Sequence, residues 1–260
     1  MRPRIQIARL MIRMGRFIQS AAVAVMRPAD LVEFSRRHYF RPESVRGWGD
    51  DQLINSGLSP LEQSLLGKIP VRQGHLLLLG VGGGREAIPL AKLGFAVTGV
   101  DFIPGMVEQA LKNAEKNGLK IFGLIQEISK LDLPVESFSI AWLSAAMYSC
   151  VPTRKRRVDM LKRIARTLIP GGYLALGFRW NPGADASSRM VFMKKMTAWL
   201  SLGNLRCEKG DGLRFDVEFI HTFTDLDELK GEIAEGGFEM LDIQAADESE
   251  FAGAVARKPV

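Results

Sequence analysis

Four leucines, Leu76 to Leu79, run unbroken into Gly80-Val81-Gly82-Gly83-Gly84. An apolar run this short, closed by glycines, predicts a strand buried on both faces of a parallel sheet. Arg85–Leu93 follows as a helix whose free N–H groups face the glycine turn. Gly94 stops that helix, and Phe95–Val100 reads as a second buried strand with Asp101 at its C-terminal tip. The glycines allow a sharp turn and close approach of a ligand, and the acid is placed to hold two ribose hydroxyls.

The same patterning organises the rest of the chain. Residues 4–26 read as a helix with Arg2, Arg9, Arg13, Arg16 and Arg27 on one stripe. Ile7, Leu10, Met11, Met14, Phe17, Ile18, Ala21 and Val25 lie opposite, Arg4 borders the apolar face, and Pro28 closes the segment. Such a helix can pack on its own domain or another subunit, lie in a membrane interface, or act as an organelle-targeting segment. Residues 29–75 form a polar, mostly helical preface in which Tyr39, Phe40 and Trp48 either cover a site or simply pack.

Beyond Asp101, Pro104 opens a helix to about Asn117, and Leu119–Gln126 is a third strand. Phe138–Leu143 is a fourth strand, and Thr153 caps a helix with Val158, Leu161, Ala165 and Leu168 on its apolar face. The basic run Arg154–Arg157 on that helix reads first as a solvated face. Pro170-Gly171-Gly172 is a turn into the fifth strand. Asn181–Gly212 is an insertion with a methionine-rich helix. Leu213–Phe223 reads as one strand, Asp225–Glu235 as a helix, and Phe238–Ile243 and Phe251–Arg257 as the last strands.

Composition narrows the function. The 260 residues are 47% apolar and 25% charged, ordinary for a globular chain. Residues 1–29 hold six arginines and no acid, so the net charge of +6 leaves 29 basic against 29 acidic residues elsewhere. No nucleic-acid-binding surface is expected from that balance. Cys150 and Cys207 form no metal-binding pattern, and no metal is expected. No apolar run is long enough to span a membrane. The chain is expected to be cytoplasmic, with peripheral membrane contact through residues 1–28 as one of its readings.

A third motif glycine at position 85 would make a dinucleotide fingerprint, but that residue is Arg85. The G-x-G-x-G spacing, with Asp101 in register, resembles motif I of the class I S-adenosylmethionine-dependent methyltransferases. The resemblance runs over about residues 70–258, through Leu168–Leu174 and the closing strands. It implies an α/β fold: a doubly wound, mostly parallel seven-stranded sheet with a closing antiparallel hairpin, here with an N-terminal helical extension. It divides the chain into a basic helix (1–28), a flap (29–70) and a methyltransferase domain (71–260), whose insertion at 181–212 roofs an acceptor pocket. It implies S-adenosylmethionine as cofactor, held by Gly80, Gly82, Gly84, Asp101, Phe102, Glu127, Ile128 and Ser144, with Glu127 accepting from the adenine amino group. Two positions depart from the pattern. Leu78 stands where many members carry an acid, and Ser139 where an aspartate usually follows the fourth-strand phenylalanine.

The sulfonium donor is already activated, so transfer needs mainly positioning and exclusion of water. Where a proton must move, Tyr148, Arg179 and His221 are the candidates near the expected site. No Asn/Asp-Pro-Pro-Tyr/Phe motif follows the fourth strand, and no Pro-Cys pair is present, which disfavours methylation of DNA bases and glutamine. A small-molecule or lipid-like acceptor remains. The alternative is a catalytically degenerate module that binds a partner or membrane through its N-terminal helix.

Overall fold

The computed structural model describes residues 3–183, 188–245 and 250–260. Arg2 and residues 184–187 of the expected insertion lie outside the described residues. Five N-terminal helices, α1 (Pro3–Val25), α2 (Pro28–Tyr39), α3 (Pro42–Trp48), α4 (Asp51–Asn55) and α5 (Pro60–Lys68), precede the first strand, β1 (Gly74–Leu79). Then come α6 (Ala87–Lys92), β2 (Phe95–Asp101), α7 (Pro104–Lys116), β3 (Phe122–Ile125), β4 (Phe138–Leu143), α8 (Arg154–Thr167) and β5 (Leu168–Trp180). The C-terminal part holds α9 (Ser188–Ser201), β6 (Asp211–Arg214), β7 (Glu218–Phe223), α10 (Leu226–Glu235), β8 (Glu239–Ala245) and β9 (Phe251–Arg257).

The leucine run explains the layering. Successive side chains of a strand point to opposite faces, and all four leucines are fully buried. Leu77 and Leu79 join a core with Met160, Leu161 and Ile164 of α8 and Leu229 and Ile233 of α10. Leu76 and Leu78 join the opposite core, with Leu65 of α5, Leu90 of α6 and Ala110 of α7. Ile140 and Trp142 against Ala141 and Leu143 repeat the split in β4. The position of the missing acid, Leu78, is thus a core position facing the helical layer.

Strands β3, β2, β1, β4 and β5 pair in that order, all parallel, and β9 pairs antiparallel with both β5 and β8. This is the expected doubly wound sheet with its closing hairpin. The strand order reverses between β1 and β4, and ligands of such sheets bind at that crevice, beyond the strand C-termini. Among the described residues the sheet has nine strands rather than seven. Leu213–Phe223 is not one strand: Phe215 and Asp216 take positive φ, and the segment folds into the antiparallel hairpin β6–β7, whose end pairs with Arg179 and Trp180.

Other boundaries move for local reasons. Helix α6 begins at Ala87 rather than Arg85, because the glycine turn continues through Glu86. β3 covers only Phe122–Ile125. Thr153 precedes α8 at φ 71° and caps it without a side-chain bond. Pro170-Gly171-Gly172 lies inside a continuous β5, accommodated by a register shift against β4 between Phe138 and Ile140. Arg157 of the basic run is fully buried rather than solvated.

Helix α1 packs on α9 and β6. Val23 and Ala24 are fully buried, and Asn204 N–H donates to the Ala24 carbonyl at 2.8 Å. Residues 3–15 are exposed throughout. Ile7, Leu10, Met11 and Met14 of the apolar stripe therefore face outward rather than into the protein. Phe192, Trp199 and Leu200 of α9 are exposed as well. Among the described residues no helix is long and apolar enough to cross a membrane.

Candidate active site

The turn after β1 and the acid that ends β2 form one unit. Gly80 and Val81 N–H both donate to the Val100 carbonyl, at 2.8 and 3.0 Å. Gly82, at φ +50°, donates its N–H to Asp101 Oδ2 at 3.1 Å, while Ile103 N–H donates to Oδ1 at 3.0 Å. Burial pushes the Asp101 carboxyl upward, against those backbone donors. Each carboxylate oxygen keeps a further lone pair, so Asp101 can still accept two hydroxyl donors, which fits a ribose.

Asp101 lines a cavity together with Gly80, Gly82, Phe102, Glu127, Ile128 and Ser144. Seven of the eight residues expected to hold the cofactor thus surround one space. Gly84 does not line it: an added Cβ there would sit 3.3 Å from Ala110, so this glycine serves the packing of the turn on α7. Glu127 is more committed than expected. Its carboxylate takes bonds from Ser129, from Arg156 at 2.6 Å and from Lys130 at 2.8 Å. Burial opposes ionisation, yet these partners hold Glu127 below its ordinary value. Of roughly four acceptor sites on a carboxylate, three are taken.

Arg85 explains why the third glycine of a dinucleotide fingerprint is absent. Its guanidinium grips Glu62 of α5 at 2.7 and 2.8 Å, Glu86 at 2.6 Å and the Gly57 carbonyl at 2.7 Å. Glu86 also accepts from the Ser144 hydroxyl, linking the β1 and β4 loops. Burial pushes the Glu86 carboxyl up to about 7, against the pull of Arg85.

The N-terminal preface closes the cavity. Val32, Ser35 and Tyr39 of α2 and Trp48 of α3 line it; Phe40 does not and is exposed. Helix α3 sits directly on the glycine turn: a Cβ at Gly83 would lie 2.0 Å from the Trp48 carbonyl oxygen. Gly83→Ala is expected to push α3 off the turn, at about 1–3 kcal/mol, with a lower melting temperature and weaker S-adenosylhomocysteine binding in the same preparation. No change in either would mean that α3 does not rest there.

The three candidates for proton transfer do not reach the cavity. Tyr148 lies in the short turn Met147–Cys150, which aims its ring into the core; it is fully buried, stacks on Phe223 and donates to Glu232 at 2.5 Å. Arg179, near the C-terminal end of β5 between β7 and β9, pairs with Glu250. His221 is buried against Asp211, Glu208 and Glu228 at 2.8, 3.4 and 3.3 Å. His221, Asp211 and Glu208 have the donor types of a metal site. The Arg157 guanidinium, however, stands 2.8 Å from Glu208 and supplies the cation there. The cavity is lined instead by Met147, Cys150, Val151 and Pro152 after β4, and by Arg214 and Glu218 of the β6–β7 hairpin. No described residue of 181–212 lines it, and Met190, Met193 and Met196 lie elsewhere. Glu218 had no sequence signal: it sits in an ordinary polar position beside a turn.

A doubly wound sheet with this strand order, a glycine turn after β1 and an acid that ends β2 define a class I nucleoside-binding transferase fold. The family model described as "Methyltransferase domain" matches residues 77–176. A ubiquinone biosynthesis O-methyltransferase of Coxiella burnetii is 34% identical over 168 residues, 57% of this chain and 70% of that protein. An S-adenosyl-L-methionine-dependent Diels-Alderase of Talaromyces variabilis is 30% identical over 205 residues, 76% of this chain and 63% of that protein. The chain thus spans less than two thirds of the fungal relative's length. The structure of an S-adenosylmethionine-dependent methyltransferase from Methanosarcina mazei shares the fold, with TM-score 0.61 at 22% identity over 78% of this chain and 99% of that one. The chain belongs to the class I S-adenosylmethionine-dependent methyltransferases, and S-adenosylmethionine is its cofactor.

Proposed function

We propose that this enzyme methylates a small, apolar or lipid-like acceptor taken from a membrane surface. The carrying observation is the cavity wall beyond the glycine turn: Val32, Tyr39, Trp48, Met147, Val151 and Pro152 offer an apolar body. The name of the Coxiella relative, an O-methyltransferase of ubiquinone biosynthesis, supports an acceptor of that kind. On this reading Asp101 receives the ribose hydroxyls, Phe102 and Ile128 flank the adenine, Glu127 offers its remaining acceptor site, and Gly80 and Ser144 border the methionine part. S-adenosylmethionine supplies an activated methyl group on sulfur. The protein holds the acceptor in line with it and excludes water through α2 and α3, which is catalysis by proximity and orientation.

The N-terminal helix is the membrane-facing part of the reading. Its exposed apolar residues and its excess of arginines suit an interface of anionic lipid. The test is label transfer from methyl-labelled S-adenosylmethionine into a membrane-containing cell extract, beside vesicle sedimentation. The variant is Leu10→Glu with Met14→Glu, which leaves the packed end of α1 intact. Label is expected in the organic phase, and the variant is expected to lose both vesicle binding and most of that label. Label confined to the aqueous fraction, equal in both proteins, would overturn the membrane acceptor. Absence of label with the wild-type protein in every extract fraction would count against transfer itself.

A further inference from the structure

We infer that the Glu218 carboxylate takes the proton of the acceptor, and that the methylated atom is the oxygen of an acidic hydroxyl, a phenol or an enol. This rests on the cavity being the donor and acceptor site.

Glu218 opens strand β7 and is 4% exposed, in the wall of an otherwise apolar space. Three ionisable groups face it from three elements. The Tyr39 hydroxyl comes from α2, Cys150 Sγ lies 3.4 Å from Oε1 in the turn after β4, and Arg214 Nη1 lies 3.7 Å from Oε2 on β6. Burial, reinforced by the charge of Glu218, raises both the Tyr39 and the Cys150 pKa, so these two keep their protons. Arg214 is a permanent cation. Among the described residues lining this end of the cavity, Glu218 is the carboxylate, with the Tyr39 hydroxyl and the Cys150 thiol turned to it as donors. Among the described residues its ion pair is one long contact, 3.7 Å, to a partly exposed arginine.

A carboxylate is a weak base, so it matches a hydroxyl that is itself acidic. A neutral amine already presents a lone pair and needs no proton removed before it reacts, and an alkyl alcohol is too weak an acid. As the acceptor oxygen forms its bond to the methyl carbon, the carbon–sulfur bond breaks with its electron pair left on sulfur. The hydroxyl proton passes to Glu218, which returns it to water when the product leaves. Tyr39 and Cys150, as donors, fix the carboxylate and border the acceptor.

The test uses the full chain, the Glu218→Gln variant and 4-nitrophenol as probe, whose ionised form absorbs visible light. Without donor, at a pH where the free probe is half ionised, wild-type protein is expected to bind the protonated phenol and reduce the phenolate band. Glu218→Gln is expected to abolish that reduction while S-adenosylhomocysteine binding, by calorimetry, is unchanged. With donor, methyl transfer to the probe is expected to fall about a hundredfold in kcat, with KM little changed, and to recover as pH rises and the probe ionises by itself. Equal phenolate bands in both proteins, with S-adenosylhomocysteine bound by both, would overturn the role of Glu218 and leave the cavity reading standing. Failure of the wild-type protein to bind S-adenosylhomocysteine would overturn both.

Discussion

Arg157→Leu is expected to destabilise the protein by about 3–5 kcal/mol, the usual cost of stripping one partner from a buried ion pair. Arg157 is fully buried, and its guanidinium holds Glu232 through two bonds of 2.6 and 2.9 Å. Glu208 accepts from the same group at 2.8 Å, and the Phe223 ring lies 5.3 Å away. Without arginine, Glu232, itself fully buried, keeps only the Tyr148 hydroxyl. Set against a total stability of about 5–15 kcal/mol, that loss moves a urea midpoint plainly. Arg157→Leu combined with Glu232→Leu is expected to recover much of it, because the stranded carboxylate goes too. A single variant within about 1 kcal/mol of wild type would sink the account, since that is the range of exposed pairs.

The same cluster carries a pH dependence. Burial works against the His221 charge, but Asp211 and Glu228 raise its pKa above the ordinary 6.5. A raised histidine contributes stability that is full below its unfolded pKa and is lost as pH rises through the folded one. Urea midpoints are therefore expected to fall across that window, and the fall to vanish in His221→Gln.

Asp101→Ala is expected to weaken S-adenosylhomocysteine binding at least about tenfold, since each hydrogen bond to a charged group contributes about 1.5–3 kcal/mol. The carboxylate also anchors Gly82 and Ile103 N–H, so its loss frees the turn as well as the ribose contact. Asp101→Asn separates the two effects: it keeps one acceptor oxygen but turns an N–H group toward a donor. Calorimetric affinity is expected to rank wild type, then Asn, then Ala. An unchanged affinity in a folded Ala variant would remove Asp101 from the site.

Much of this was legible locally. The leucine run, the glycine turn and Asp101 are contiguous, so their patterning alone gave β1, the turn and β2, and the spacing at Arg85 set them apart from a dinucleotide site. The Phe251–Arg257 strand matched to the residue. Tyr148 and His221 misled because a sequence does not say which way a short turn or a curved strand aims its side chains. Arg157 looked solvated because its neighbours are basic, whereas α10 brings Glu232 against it from far along the chain. The described residues of the expected insertion do not line the cavity: α9 packs on α1, and the following hairpin reaches the cavity.

The sequence by itself determined the first two strands and the glycine turn between them, because these rest on periodicity, glycine and one acid within a short stretch; the rest of the sheet and the donor followed from the family resemblance those residues carry. Only the tertiary structure decided which side chains share the cavity beyond the glycine turn. Tyr39, Cys150 and Glu218 come from three distant segments; the sequence left Tyr39 open between covering a site and packing, and gave no signal for Glu218. Their chemistry exists only because packing buries a carboxylate beside two donors, where desolvation and mutual charge decide which group keeps its proton.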